Sequence, residues 1–262
     1  MTRRDLFFSS TAALLAANIS GSAGVSAHQK TYILVHGAWH GGWCWQDVRE
    51  LLESAGHRVF TPSLTGLGDR VHLRHPSVDL TTHATDIVQL MVFEDLQDII
   101  LVGHSYAGHV VSVVADMAKE RLSHIVYLDA VLATNGRSFL PPGVGEERAK
   151  TAKDGYLMPI GSMKFLGIPE EHPRYDWVKS RLVEHPLPTL METVQYENGG
   201  PAGVPKTFIR CLQNDRMLTD GTDPVAEMVA TDAEWNYLTI DTGHDLMITA
   251  PEETARILLN IP

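Results

Sequence analysis

Asp98-Ile99-Ile100-Leu101-Val102-Gly103-His104-Ser105-Tyr106-Ala107-Gly108 is the stretch on which the fold turns. Residues 98–102 end in a short, unbroken apolar run of the kind that forms a strand buried on both faces. A helical pattern follows, to about Lys119. Ser105 sits between the two, with Gly103 and Ala107 two places to either side. A serine on so sharp a strand-to-helix turn is held in strained geometry with its Oγ at the edge of a sheet. Small flanking residues let the strand and helix backbones approach. Ala107 stands where a second glycine is usual, but its methyl is small and Gly108 follows at once.

The same alternation extends in both directions. Tyr32–Val35, Arg58–Thr61, Ile125–Leu128, Thr207–Arg210 and Asn236–Ile240 read as further strands. Helical periods run from about 45 to 55, from about Thr82 to Phe93, from Pro224 to Thr231 and from Pro251 to Leu259. The last has Thr249 as candidate N-cap and Glu252 and Glu253 in its first turn, where carboxylates suit the helix dipole. Between about 131 and 203 the rhythm breaks into proline-rich sequence with short helical patches and no strong strand. The expected class is α/β: a mostly parallel sheet with helices on both faces and an inserted helical cap, within one domain spanning 28–262. The cap would lie over the carboxyl edge of the sheet, where open α/β folds bind ligands.

Bulk properties narrow the choices. With 44% hydrophobic and 20% charged residues the composition is that of an ordinary globular chain. A net charge of −11 argues against nucleic acid as a partner. Residues 1–27 read as a twin-arginine-like export signal: Arg3-Arg4, a short apolar stretch from Leu6, and the small-residue ending Val25-Ser26-Ala27. That predicts an exported, periplasmic or secreted protein, with no membrane span in the mature chain. The two cysteines, Cys44 and Cys211, are expected to be buried free thiols.

Ser105 needs a base, because an aliphatic hydroxyl is a poor nucleophile at neutral pH. With the nucleophile on this turn, the partners come in the chain order Ser, then Asp or Glu, then His. Of 13 histidines, His244 in Asp241-Thr242-Gly243-His244-Asp245 falls between the last strand and the last helix, at the same rim as Ser105. Asp215 follows the Thr207–Arg210 strand and is the preferred acid. Asp129, which also ends a strand at this rim, is its competitor, with Asp220 and Asp223 farther along the loop. After the first strand comes His36-Gly37-Ala38-Trp39-His40-Gly41-Gly42-Trp43, a loop suited to presenting backbone N–H groups to a developing oxyanion. The donors expected are those of Ala38 and Tyr106. His36 and His104 read as residues that orient loops. His36 and His40 lie in a loop rather than on a helix, and no H-E-x-x-H or Cys/His cluster occurs, so neither metal nor cofactor is expected.

These segments, with Gly66-Leu67-Gly68-Asp69-Arg70, resemble the plant-type esterase and hydroxynitrile lyase branch of the α/β-hydrolases, a branch that includes bacterial carboxylesterases and pyrethroid hydrolases. The resemblance runs from about Thr31 to Ile261. It implies a serine carboxylesterase acting on small to medium hydrophobic esters through an acyl-enzyme on Ser105. A C–C lyase and a non-catalytic small-molecule binding protein are the alternatives. The lyases carry threonine after the loop histidine and lysine after the catalytic one; here those places hold Gly37 and Asp245, which favours hydrolysis. Gly37, Trp39, Met158, Phe165 and Trp177 are the expected substrate contacts, and about half of the large cap side chains are expected simply to pack the cap.

Overall fold

Each of the six apolar runs becomes a strand. The computed structural model describes residues 29–214 and 222–262. The strands are β1 (Thr31–Val35), β2 (Arg58–Phe60), β3 (Ile99–His104), β4 (Leu122–Leu128), two short strands β5 (Leu157–Met158) and β6 (His185–Pro186), then β7 (Lys206–Cys211) and β8 (Trp235–Ile240). Six form one sheet in the order β2-β1-β3-β4-β7-β8, and every pairing in it is parallel. β1 and β3 at its centre are apolar on both faces, and Ile33, Leu34, Leu101 and Val102 are fully buried. Burying each such side chain contributes about 1.5–3 kcal/mol.

The helices are α1 (Gln46–Ser54), α2 (Leu80–Phe93), α3 (Ala107–Ala118), α4 (Val144–Ala149), α5 (Met163–Leu166), α6 (Tyr175–Lys179), α7 (Pro188–Met191), α8 (Pro224–Val229), α9 (Leu246–Thr249) and α10 (Pro251–Leu259), and of these α4 to α7 fall in the segment between β4 and β7. α1 packs with α10, and α2 with α3. Several boundaries differ from the sequence reading, and at two helix starts the cause is plain. α2 starts two residues early because Asp79 caps it, accepting from Thr82 N at 2.8 Å while the Thr82 hydroxyl answers the Asp79 N–H. Thr249 does not cap α10. Ala250 occupies that position and Pro251 sets the first turn, while the Thr249 hydroxyl pairs with that of Thr242 at 2.7 Å. No helix among the described residues is long and apolar enough to cross a membrane. Cys44 and Cys211 are buried free thiols.

The strand order places the site. The chain lays β2 on one side of β1 and then β3 on the other, so the order reverses at β1, and a crevice opens between the carboxyl ends of β1 and β3. Val35 is in register with Gly103, so the loop after β1 faces the turn after β3. The segment between β4 and β7 is seated on this rim. Val183 N–H donates to Trp39 O at 3.0 Å, and Asp245 N–H donates to Leu166 O at 2.9 Å. Its two short strands pair antiparallel, Met158 with His185.

Candidate active site

Ser105 is held in the left-handed region, φ +55°. For a residue with a Cβ that conformation is costly and persists only when the surroundings impose it. They do so here. A Cβ on Gly103 would meet Ala107 O and Val111 at 2.8 Å, so only glycine lets α3 come this close to β3. The Ser105 N–H donates to Leu128 O at 3.2 Å, and its carbonyl accepts from Gly108 and Val131. Trp39 (φ +67°) and Asp129 (φ +45°) share the left-handed conformation, so three strained residues surround one point.

His244 reaches Ser105 from the loop after β8, its Nε2 lying 2.8 Å from the Oγ. Its Nδ1 lies 2.6 Å from Asp129 Oδ2. The carboxylate on the imidazole is thus that of Asp129, the competitor in the sequence reading. Asp215, the preferred acid, lies outside the described residues, as does Asp220. Register explains the encounter: His104 pairs with Leu128 and Leu128 with Ile209, so Asp129 steps off β4 beside Ser105. Asn214 Nδ2 donates to Asp129 Oδ2 at 2.5 Å, and Cys211 N–H donates to Oδ1 at 3.1 Å. Arg210, itself buried, adds a guanidinium contact at 3.3 Å and reaches Asp223 at 3.1 Å on its other side. Burial pushes the Asp129 carboxyl up, but the donors from His244, Asn214 and Cys211 outweigh it and hold it below the ordinary carboxylate range. Asn214 and Arg210 were not singled out in the sequence. Both flank the end of β7, and only the register reveals them.

Ala38 and Tyr106 stand on either side of the crevice. Among the described residues, neither backbone N–H donates to a protein acceptor. That of Tyr106 opens α3, where helix N–H groups have no partner within the helix. The Tyr106 ring is fully buried, its hydroxyl hydrogen-bonded to His83 Nδ1 at 3.0 Å. Gly37 brings the loop to the serine: a Cβ there would lie 2.9 Å from His104 Nδ1 and 3.0 Å from Ser105 Cβ. A threonine at 37 would therefore displace the nucleophile or its neighbour. His36 accepts from Leu64 N–H at 3.0 Å, and His104 donates to the His244 carbonyl at 2.9 Å. Both orient loops.

The expected substrate contacts divide. Phe165 packs edge-on against both Trp39 (5.5 Å between centroids) and His244 (6.1 Å). Trp39 is further covered by Gly161, where a Cβ would meet its ring at 3.0 Å. Met158 lies on β5 opposite His185, whose ring contacts Tyr106 at 4.8 Å. Trp177 lies edge-on to Trp43, with the guanidinium groups of Arg174 and Arg181 against its ring at 4.7 and 4.6 Å. His104, His244 and Asp245 offer ligand atoms within 4.8 Å of one another. Both nitrogens of His244 are already engaged, however, by Ser105 and Asp129.

The buried histidines set an acid limit to the fold. Burial pushes His36 and His104 down to about 3 and His83 and His109 to about 4, and the hydrogen bonds of their rings to backbone carbonyls offset only part of it. In the unfolded chain each takes up a proton near pH 6.5. The stability they contribute is whole above that value and is lost as pH falls toward 3–4. At about pH 5 each costs the fold on the order of 2 kcal/mol. Thermal midpoints are expected to drop steadily from about pH 7 to about pH 5, before the paired carboxylates titrate. A flat profile over that interval would show that the imidazoles are not buried in neutral form.

The profile described as "Alpha/beta hydrolase family" matches residues 32–257. A carbendazim hydrolyzing esterase of Nocardioides sp. is 36% identical over 246 residues, covering 87% of this chain and 97% of that protein. Methylesterase 3 of Arabidopsis thaliana is 25% identical over 255 residues, covering 87% and 94%. Among solved structures, an extracellular alpha/beta-hydrolase from a Paenibacillus species superposes with a TM-score of 0.74 at 20% identity, covering 88% of this chain and 98% of that one. A profile match over nearly the whole described chain, on a parallel sheet with a strained serine at its carboxyl rim, means that the protein belongs to the alpha/beta hydrolase family.

Proposed function

We propose that the protein is a serine carboxylesterase that hydrolyses small to medium hydrophobic esters through an acyl-enzyme on Ser105. The observation that carries this reading is the unbroken relay from Ser105 Oγ through both nitrogens of His244 to Asp129. Ser105 Oγ attacks the ester carbonyl as His244 Nε2 takes its proton, and the carbonyl oxygen becomes an oxyanion facing the N–H groups of Ala38 and Tyr106. Collapse of this intermediate breaks the ester C–O bond, and His244 returns the proton to the leaving alcohol. Water then attacks the acyl group, giving up a proton to His244, and its breakdown releases the acid and restores Ser105. Asp129 stays ionised throughout and stabilises the imidazolium.

Related proteins named as esterases support the reaction class. Cyanohydrin cleavage fits less well. Gly37 leaves no room for a hydroxyl-bearing side chain, and Asp245, a buried carboxylate, follows the base where a cation would be wanted. The test is a panel of short p-nitrophenyl esters, bulky aryl esters, carbendazim and mandelonitrile. Turnover of esters with no cyanide from mandelonitrile is expected. Inertness toward every ester, with tight binding of one of them, would favour a binding protein instead.

Export belongs to the same proposal. Residues 1–27 lie outside the described residues. Expressed with this leader, the mature chain is expected in the exported fraction, beginning at His28 by N-terminal sequencing. An intact N-terminus on cytoplasmic protein would count against a cleaved signal.

A further inference from the structure

One buried ion pair next to the site has no role in the steps above. His40 lies in the loop that carries Ala38, and Asp245 directly follows His244; the two are 1% and 0% exposed. His40 Nδ1 lies 2.7 Å from Ala38 O, and its Nε2 lies 3.0 Å from Asp245 Oδ2. A carbonyl and a carboxylate both accept, so both ring nitrogens carry protons and the ring is an imidazolium. Trp43 stacks on its face at 5.3 Å. The other carboxylate oxygen, Oδ1, is buried with no hydrogen-bond partner among the described residues and lies 3.9 Å from His104 Nε2, which donates to the His244 carbonyl instead, so the side-chain hydrogen bond to Asp245 comes from His40. The main chain of Asp245 is pinned as well, its N–H donating to Leu166 O and its carbonyl accepting from Ile248 and Thr249.

We propose that His40 and Asp245 are positioning residues that tie the oxyanion loop to the base loop, holding the Ala38 N–H and His244 Nε2 in one register about Ser105. The inference rests on the esterase reading of the same site. Burying two charges is costly, and apolar residues of similar volume commonly serve stability as well or better. What the pair contributes is a fixed geometry between two loops that no strand pairing connects. The carbonyl of Ala38 is held on one side of the ring and the residue after His244 on the other. A small displacement of either loop would mis-set the oxyanion donor against the base. Misplacements of about 1 Å cost on the order of 100-fold in rate.

Asp245→Asn keeps the volume and removes the charge; His40→Phe keeps the stacking on Trp43 and removes both donors. On p-nitrophenyl butyrate each is expected to lower kcat by about 30- to 100-fold with KM nearly unchanged, because the lost contact matters only in the transition state. Affinity for butylboronic acid, which mimics the tetrahedral adduct, should fall by a similar factor. The double variant should be no worse than the poorer single one. In the wild-type protein, 15N NMR at neutral pH should show one buried histidine protonated on both nitrogens, a readout that needs no variant to fold. Near-wild-type kcat and boronate affinity with a lowered melting temperature would reduce the pair to a structural one and overturn the proposal, as would a neutral His40 ring. Wild-type protein inert toward esters and boronate alike would overturn the esterase reading and this inference together.

Discussion

Ser105→Ala is expected to lower kcat on short p-nitrophenyl esters by about 10⁶-fold, with KM little changed. The hydroxyl is the only atom removed. Backbone geometry at φ +55° is imposed by Gly103, Leu128 and Val131 rather than by the side chain, so the fold should persist with an unaltered melting temperature. The Ala38 and Tyr106 N–H groups would still face the carbonyl, and a residual rate of about 10³ to 10⁴ over water is the most they supply without a nucleophile. Steady-state assays on both proteins, purified side by side, measure it. Retained turnover in the alanine variant would remove Ser105 from the reaction.

Asp129→Asn is expected to cost about 10⁴-fold in kcat, the scale of a base held in the wrong tautomer. The amide would offer Nδ2–H or Oδ1 to His244 Nδ1 without the charge that stabilises the imidazolium. Asn214 and Cys211, which now donate to the carboxylate, would remain to hold the side chain in place. Arg210 would keep Asp223 as its anion. Asp215→Asn should leave kcat near the wild-type value, because His244 Nδ1 already meets Asp129 at 2.6 Å. The reverse pattern, with activity lost at 215 and kept at 129, would return the acid to the loop after β7. The two kcat values, measured on one ester, decide between them.

Most of the fold was legible because its signals are local. Continuous apolar runs such as Ile99–Val102, short and bounded by turn residues, read as doubly covered strands, and the helical periods between them point to a parallel sheet. Ser105 and His244 were legible for the same reason: each sits between a strand and a helix, which fixes the rim it occupies. The acid was not. Asp129 and Asp215 both follow strands at that rim, and choosing between them needs the register that sets Asp129 beside Ser105. Asp245 shows the same limit. In the sequence it is only a carboxylate in place of a lysine, whereas its pairing with His40 spans 205 residues and depends on how two loops meet. Trp177 read as a ligand contact because flat aromatics suit apolar ligands. The guanidinium groups against it come from Arg174 and Arg181, just before and just after α6, and Trp43 completes the packing. Thr249 satisfies a capping rule that Pro251 makes unnecessary.

Labelling with a fluorophosphonate, followed by peptide mapping and an ester assay on the same sample, tests the nucleophile most directly. The expected result is one phosphonyl group per chain, carried on Ser105, with ester turnover lost in proportion to the labelled fraction and labelling abolished by His244→Ala. Label on a different residue, or hydrolysis persisting in fully labelled protein, would contradict a reaction run by Ser105 and His244.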